Sequence, residues 1–81
     1  MNLHQLRKRV TLDPRIMAGK PVIKGTRIPL DLIVRMLAQG MPEKEILEEY
    51  PRLKSEDIRA ALAYAAQTLS DDDIFPLAIP A

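Results

Sequence analysis

Gly19-Lys20-Pro21-Val22-Ile23-Lys24-Gly25-Thr26-Arg27-Ile28-Pro29 is the stretch around which the rest of this chain is organised. Two glycines bracket a β-branched pair, and a second short run, residues 26–28, then meets a proline. Glycine takes positive φ at little cost, so Gly19 and Gly25 mark turn points. Val22-Ile23 and residues 26–28 suit a pleated surface, while Pro21 and Pro29 hold any strand to a short edge or a strand end. A compact loop or ribbon is expected here rather than a helix. The stretch carries Lys20, Lys24 and Arg27 without an acid, and it joins a basic N-terminal arm to a helical body.

It is not a nucleotide-binding loop. One residue too many separates its glycines, Lys24 precedes the second glycine instead of following it, and Pro29 intervenes before any helix opens.

Working toward the N-terminus, Val10-Thr11-Leu12 reads as a strand stopped by the Asp13-Pro14 turn signal. Residues 1–9 are polar, with Leu3 and Leu6 placed for a short helical turn against a neighbour and His4 as a solvated terminal side chain. Toward the C-terminus, a first helix is expected over residues 30–39. Pro29 stands at its start and Gly40 just past its end, the usual asymmetry of helix termini. Asp31 sits in its first turn, where the helix dipole favours an anion. Leu30, Ile33, Val34 and Leu37 share one face.

Met41-Pro42 opens a second helix over residues 43–50, with Ile46 and Leu47 facing inward, and Pro51 ends it. The third runs over residues 55–69, with Ser55 as its N-cap and Glu56 and Asp57 in the first turn. Its expected buried stripe is Ile58, Leu62, Ala65 and Leu69, on a helix whose many alanines permit close packing. Residues 70–81 form an acidic and apolar tail. Asp71-Asp72-Asp73 oppose the helix dipole, and Ile74, Phe75, Leu77 and Ile79 follow in a segment broken by Pro76 and Pro80.

The composition limits what such a chain does. With 81 residues it is one small domain, buries roughly 60% of its unfolded surface, and has a thin core. It has no cysteine and one histidine, which removes disulfides, thiolate metal sites and nucleophilic cysteine chemistry. No carboxylate pair stands on an apolar floor, so no enzyme, metal or cofactor is expected. Oligomerisation is the ordinary remaining source of stability. A homodimer built through the N-terminal half is expected, because strands as short as residues 10–12 and 26–28 need partners. No signal peptide or membrane-spanning run is visible, which points to a cytoplasmic protein.

Charge is divided unevenly. Residues 1–30 hold seven bases and one acid, and residues 31–81 hold five bases and ten acids. A basic arm before an acidic body points to two different partners. The plan is then a basic arm with a short β element (1–30), a three-helix body (31–69) and the tail (70–81). Helix, short helix, tight turn, longer helix is the layout of a helix-turn-helix domain, whose last helix lies in the DNA major groove.

Asp13-Pro14 and the 19–29 run resemble the signature of the bacterial family called domain of unknown function 433. The similarity continues through Leu37-Ala38-Gln39-Gly40, Glu45-Ile46-Leu47, Tyr50-Pro51-Arg52-Leu53 and Asp57-Ile58-Arg59-Ala60-Ala61-Leu62-Ala63-Tyr64-Ala65. The resemblance implies a mainly α fold, a homeodomain-like helix-turn-helix of three helices after a short β element. It also implies an antitoxin of a VapBC-type module that binds operator DNA and neutralises a PIN-like ribonuclease toxin. Pro42 stands where a Ser or Thr cap is common in that family.

Chemistry then assigns candidates. Lys20, Lys24, Arg27, Arg52, Lys54 and Arg59 are the candidate phosphate contacts; Glu56 and Asp57 at the start of the last helix oppose close approach of DNA, and capping without base contact is their expected role. An alternative for Arg59 is an ion pair with Glu56. Ile74, Phe75, Leu77 and Ile79 are the candidate toxin contacts, with the tail folding back over its own helices as the competing possibility. A module that binds only a protein partner, without DNA, is the alternative function.

Overall fold

The structure is a computed structural model that describes residues 2–71. Within them lie four α-helices and one two-stranded antiparallel sheet. The first helix, α1 (Leu3–Arg7), is held by a reciprocal cap: Asn2 Oδ1 accepts from the Gln5 N–H at 2.8 Å, and Gln5 Oε1 accepts from the Asn2 N–H at 3.1 Å. Five residues cannot sustain a helix alone. It packs against the last helix, so the arm is part of the folded body.

Strand β1 (Val10–Thr11) pairs with β2 (Val22–Ile23), Val10 opposite Ile23 and Thr11 opposite Val22. Between them, Asp13 O accepts from the Ile16 N–H at 2.8 Å, closing the expected Asp-Pro turn. Arg15 wraps back onto the Asp13 carboxylate at 3.0–3.1 Å and holds that carboxyl below its usual range. The chain then makes a left-handed turn through Met17, Ala18 and Gly19, with φ of 49°, 56° and 85°. For the two L-residues this costs roughly 1–2 kcal/mol each.

Residues 26–28, expected as a strand, are the returning limb of a tight hairpin instead. A turn closes from the Thr26 N–H to Ile23 O at 3.0 Å with Gly25 at φ 82°. The Thr26 hydroxyl donates to the same oxygen at 2.7 Å and accepts from the Ile28 N–H at 3.0 Å. Beyond that turn, Ile23 N–H to Ile28 O (3.0 Å) and a single bridge between Val22 and Pro29 tie the limb to β2. Pro29 has no N–H to extend the ladder. The short strands thus find a first partner inside the chain, β1 and the 26–28 limb both lying against β2.

Helix α2 (Leu30–Ala38) ends as expected at Gly40, whose φ is 91°. Gly40 N–H reaches Leu37 O and Met41 N–H reaches Met36 O, both at 3.0 Å, satisfying the last carbonyls. Helix α3 (Glu43–Glu49) follows, and a turn closed by Leu53 N–H to Tyr50 O (2.9 Å) leads to α4 (Ser55–Asp71). The last helix runs to Asp71, two residues past the expected end, with Gln67 Nε2 bonded to Asp71 Oδ1 at 3.1 Å. Ser55 is not its cap. The Lys54 carbonyl accepts from the Asp57 N–H at 2.9 Å, and the Ser55 hydroxyl donates to Glu43 Oε1.

Ile23, Leu30, Ile33, Met36, Ile46, Leu53, Ile58 and Ala61 form the core. On α4 the buried sector is Asp57, Ile58, Ala60 and Ala61, while Leu62 is 45% exposed and Leu69 is 73% exposed. The expected stripe is therefore wrong at both leucines. α1 and α2 each pack on α4, the small alanines admit them, and Leu62, one residue or roughly 100° beyond Ala61, turns outward.

Candidate nucleic-acid interface

Two of the six candidate cations meet. The hairpin after β2 carries Arg27, the turn between α3 and α4 carries Arg52, and both line one cleft of about 320 Å³ with Thr11, Gly25 and Thr26. Their sequence separation is bridged because β2 and Leu53 are both pinned into the core. Among the described residues no carboxylate oxygen lies within 4.0 Å of the charged side-chain nitrogens of Lys24, Arg27, Arg52, Lys54 or Arg59. Arg59 therefore makes no ion pair with Glu56. A guanidinium offers a planar fork of donors matched to phosphate oxygens, and two of them on one cleft floor suit a polyanion.

A buried ion pair fixes the neighbouring turn. The Asp57 side chain is 5% exposed; its Oδ1 accepts from Arg9 Nη1 at 2.9 Å and its Oδ2 from the Lys54 N–H at 2.9 Å. Lys24 N–H in turn donates to Arg9 O at 2.7 Å. The backbones of Lys24 and Lys54 thus hang at opposite ends of one chain of hydrogen bonds through Arg9 and Asp57. The sequence reading of Asp57 as a capping acid holds, since its Oδ2 accepts from the N–H just before the helix, but its expected opposition to DNA does not. The side chain faces inward, and its charge is matched by Arg9. An acid at the third position of a helix is a recognisable capping signal, but nothing local names a partner 48 residues away.

The remaining candidates scatter. Lys20 points toward Asp31 at 3.9 Å, beside an apolar groove between α2 and α4 and away from the cleft residues. Arg59 is exposed on α4 and Lys54 at its start. Ile74, Phe75, Leu77 and Ile79 lie outside the described residues. No described helix is long and apolar enough to cross a membrane.

A family model described as "Protein of unknown function (DUF433)" matches residues 10–65, which include both strands, the cleft and the Arg52–Asp57 turn. The chain belongs to the DUF433 family. A crystal structure of a DUF433 member from Anabaena variabilis superposes with a TM-score of 0.74 at 35% identity, covering 88% of this chain and 70% of that one. The uncharacterized protein y4eO of Sinorhizobium fredii is 39% identical over 64 residues, 79% of this chain but only 29% of that relative, so this chain spans less than a third of it. An uncharacterized protein of Archaeoglobus fulgidus is 59% identical over 29 residues, 36% of this chain and 81% of its own length. Residues 2–9, with α1, lie before the DUF433 match, so the Arg9 side of the buried pair does too.

Proposed function

We propose that this chain is the DNA-binding antitoxin of a two-component toxin–antitoxin module, in which α2, α3 and α4 act as a homeodomain-like helix-turn-helix. The observation that carries the reading is the meeting of Arg27 and Arg52 on one acid-free cleft at the α3–α4 turn. In helix-turn-helix domains this turn approaches the phosphate backbone, and phosphate contacts set register and supply most of the affinity. The inward position of Asp57 removes one of the two acids that stood against such an approach. Lys54 and Arg59 extend the positive surface along α4, and Lys24 extends it along the hairpin.

The test is the salt dependence of binding. Arg27→Ala combined with Arg52→Ala should weaken binding to the promoter region of the protein's own operon and to a random-sequence duplex alike. The slope of log K against log salt should fall by about one per lost contact. Parent-like affinity and slope in the double variant would remove the cleft from the interface. An absence of any salt-dependent DNA binding by the parent would leave a module that binds protein alone.

Neutralisation of a PIN-like ribonuclease is assigned to residues 72–81. Four apolar side chains behind a run of aspartates suit an apolar groove with a basic rim, as an RNA-cleaving site provides, and extended segments of this kind order on binding. A chain ending at Asp71 should keep its melting temperature and lose capture of a PIN-like ribonuclease that the full chain binds. Retained capture, or a large fall in melting temperature, defeats the assignment.

A further inference from the structure

Between α2 and the C-terminal half of α4 runs an open groove of about 400 Å³. Its floor is apolar: Leu30, Val34, Ala61, Tyr64, Ala65 and Leu69. The polar groups stand on its rim, where Asp31 faces Lys20 at 3.9 Å and Arg35 at 3.8 Å. Leu69, at one end, is 73% exposed. We infer that this groove is the contact surface for a second copy of this chain, joined about a twofold axis with the α4 helices packed antiparallel.

Knob and hole lie on one helix. Leu69 projects one turn beyond Ala65, about 6 Å along the axis, and the floor beside it is low because Ala65 is small and half-buried while Ala61 beneath it is fully buried. Antiparallel α4 helices crossing near Ala65 place each Leu69 in the other's hollow. In a twofold contact whatever one surface offers the other must accept, and this helix offers both parts.

The rim has the same character. Asp31 lies between two cations at the distance limit of an ion pair, all three being about half exposed or more. A polyanion or a uniformly charged partner would meet a like charge there. A second copy meets the opposite one, Asp31 to the partner's Arg35 and the reverse.

An apolar surface of this kind on a chain with a thin core marks an interaction site. The contact lies apart from the Arg27–Arg52 cleft and does not depend on DNA binding, so either reading can fail alone. If both hold, the twofold presents two clefts to two half-sites.

Sedimentation equilibrium of the full chain at micromolar concentration tests the contact. The parent should sediment at twice the 9.1 kDa chain mass. Ala65→Glu and, separately, Leu69→Glu should each sediment as monomers with the parent's helical circular dichroism. Leu12→Glu, an exposed position before the Asp13-Pro14 turn, should remain dimeric. A monomeric parent overturns the inference, whether its groove is filled by residues 72–81 or by a foreign protein. A dimer that survives both groove variants, or one lost in Leu12→Glu alone, overturns it too. A variant that loses its helical signal is set aside, and the other groove variant decides.

Discussion

Asp57→Ala should destabilise the domain by about 3 kcal/mol, a large share of the roughly 4–12 kcal/mol expected for a chain of this size. The carboxylate is nearly sealed from water and uses both oxygens, one for Arg9 Nη1 and one for the Lys54 N–H, each at 2.9 Å. Removing it strands two donors together. Losing one member of a buried pair costs about 3–5 kcal/mol, because the other charge is left without compensation. Arg9 remains 28% exposed, so water recovers part of that loss and the expectation falls at the lower end. The lost helix-start hydrogen bond, about 1 kcal/mol by itself, is part of that loss. Asp57→Asn keeps an acceptor for Lys54 and should fall between parent and alanine. Urea denaturation with linear extrapolation measures all three. A loss below about 1 kcal/mol for Asp57→Ala would place the pair with ordinary surface ion pairs.

The consequence reaches the cleft. The Asp57–Lys54 bond fixes the end of the turn that carries Arg52, and the Arg9–Asp57 pair fixes that turn to the arm. An Arg9→Ala variant that stays folded should therefore leave both Arg27 and Arg52 in place chemically while loosening the cleft between them.

Much of this was legible in local chemistry. The proline and glycine signals bound α2 and α3 within a residue or two, because a missing N–H or a positive φ acts on the backbone itself. Gly40 shows it best, with φ 91° and both capping bonds in place. What periodicity cannot give is a helix's neighbours. Leu62 and Leu69 fit an apolar stripe on α4, yet α1 and α2 cover the alanine sector instead. The sequence marks α1 only as a short turn, since a five-residue helix has no sequence signal beyond its cap.

The basic arm is also less free than its composition implied. Arg9 is bound to Asp57, Arg15 to Asp13, and Lys20 stands beside Asp31. Lys20 and Arg27, seven residues apart, serve different surfaces, Lys20 beside Asp31 and Arg27 in the cleft, because the hairpin at Gly25 reverses the chain between them. A count of charges sums over this geometry, and the cleft is what remains once the internal pairs are subtracted.

Ile33→Ala should cost about 2–5 kcal/mol, and Leu62→Ala less than about 1. Ile33 is wholly buried, on the face of α2 that meets the cluster of Ile23, Ile46, Leu53, Ile58 and Ala61. Truncation there removes three carbons from a site walled by helices and the hairpin, which relax only partly, so a cavity term adds to the lost transfer energy. Leu62 is larger in apolar area than alanine by a similar amount, but 45% of the residue is already in water and it stands outside the α2–α4 groove lining. Both changes remove the same kind of atoms from residues that sequence periodicity had placed on buried faces. Their difference therefore measures how the helices are turned, and urea midpoints at one fixed protein concentration give it directly. Equal losses at the two positions would return Leu62 to the core and rotate α4 against its neighbours. A loss below about 1 kcal/mol at Ile33 would mean that the α2 face does not pack against this cluster.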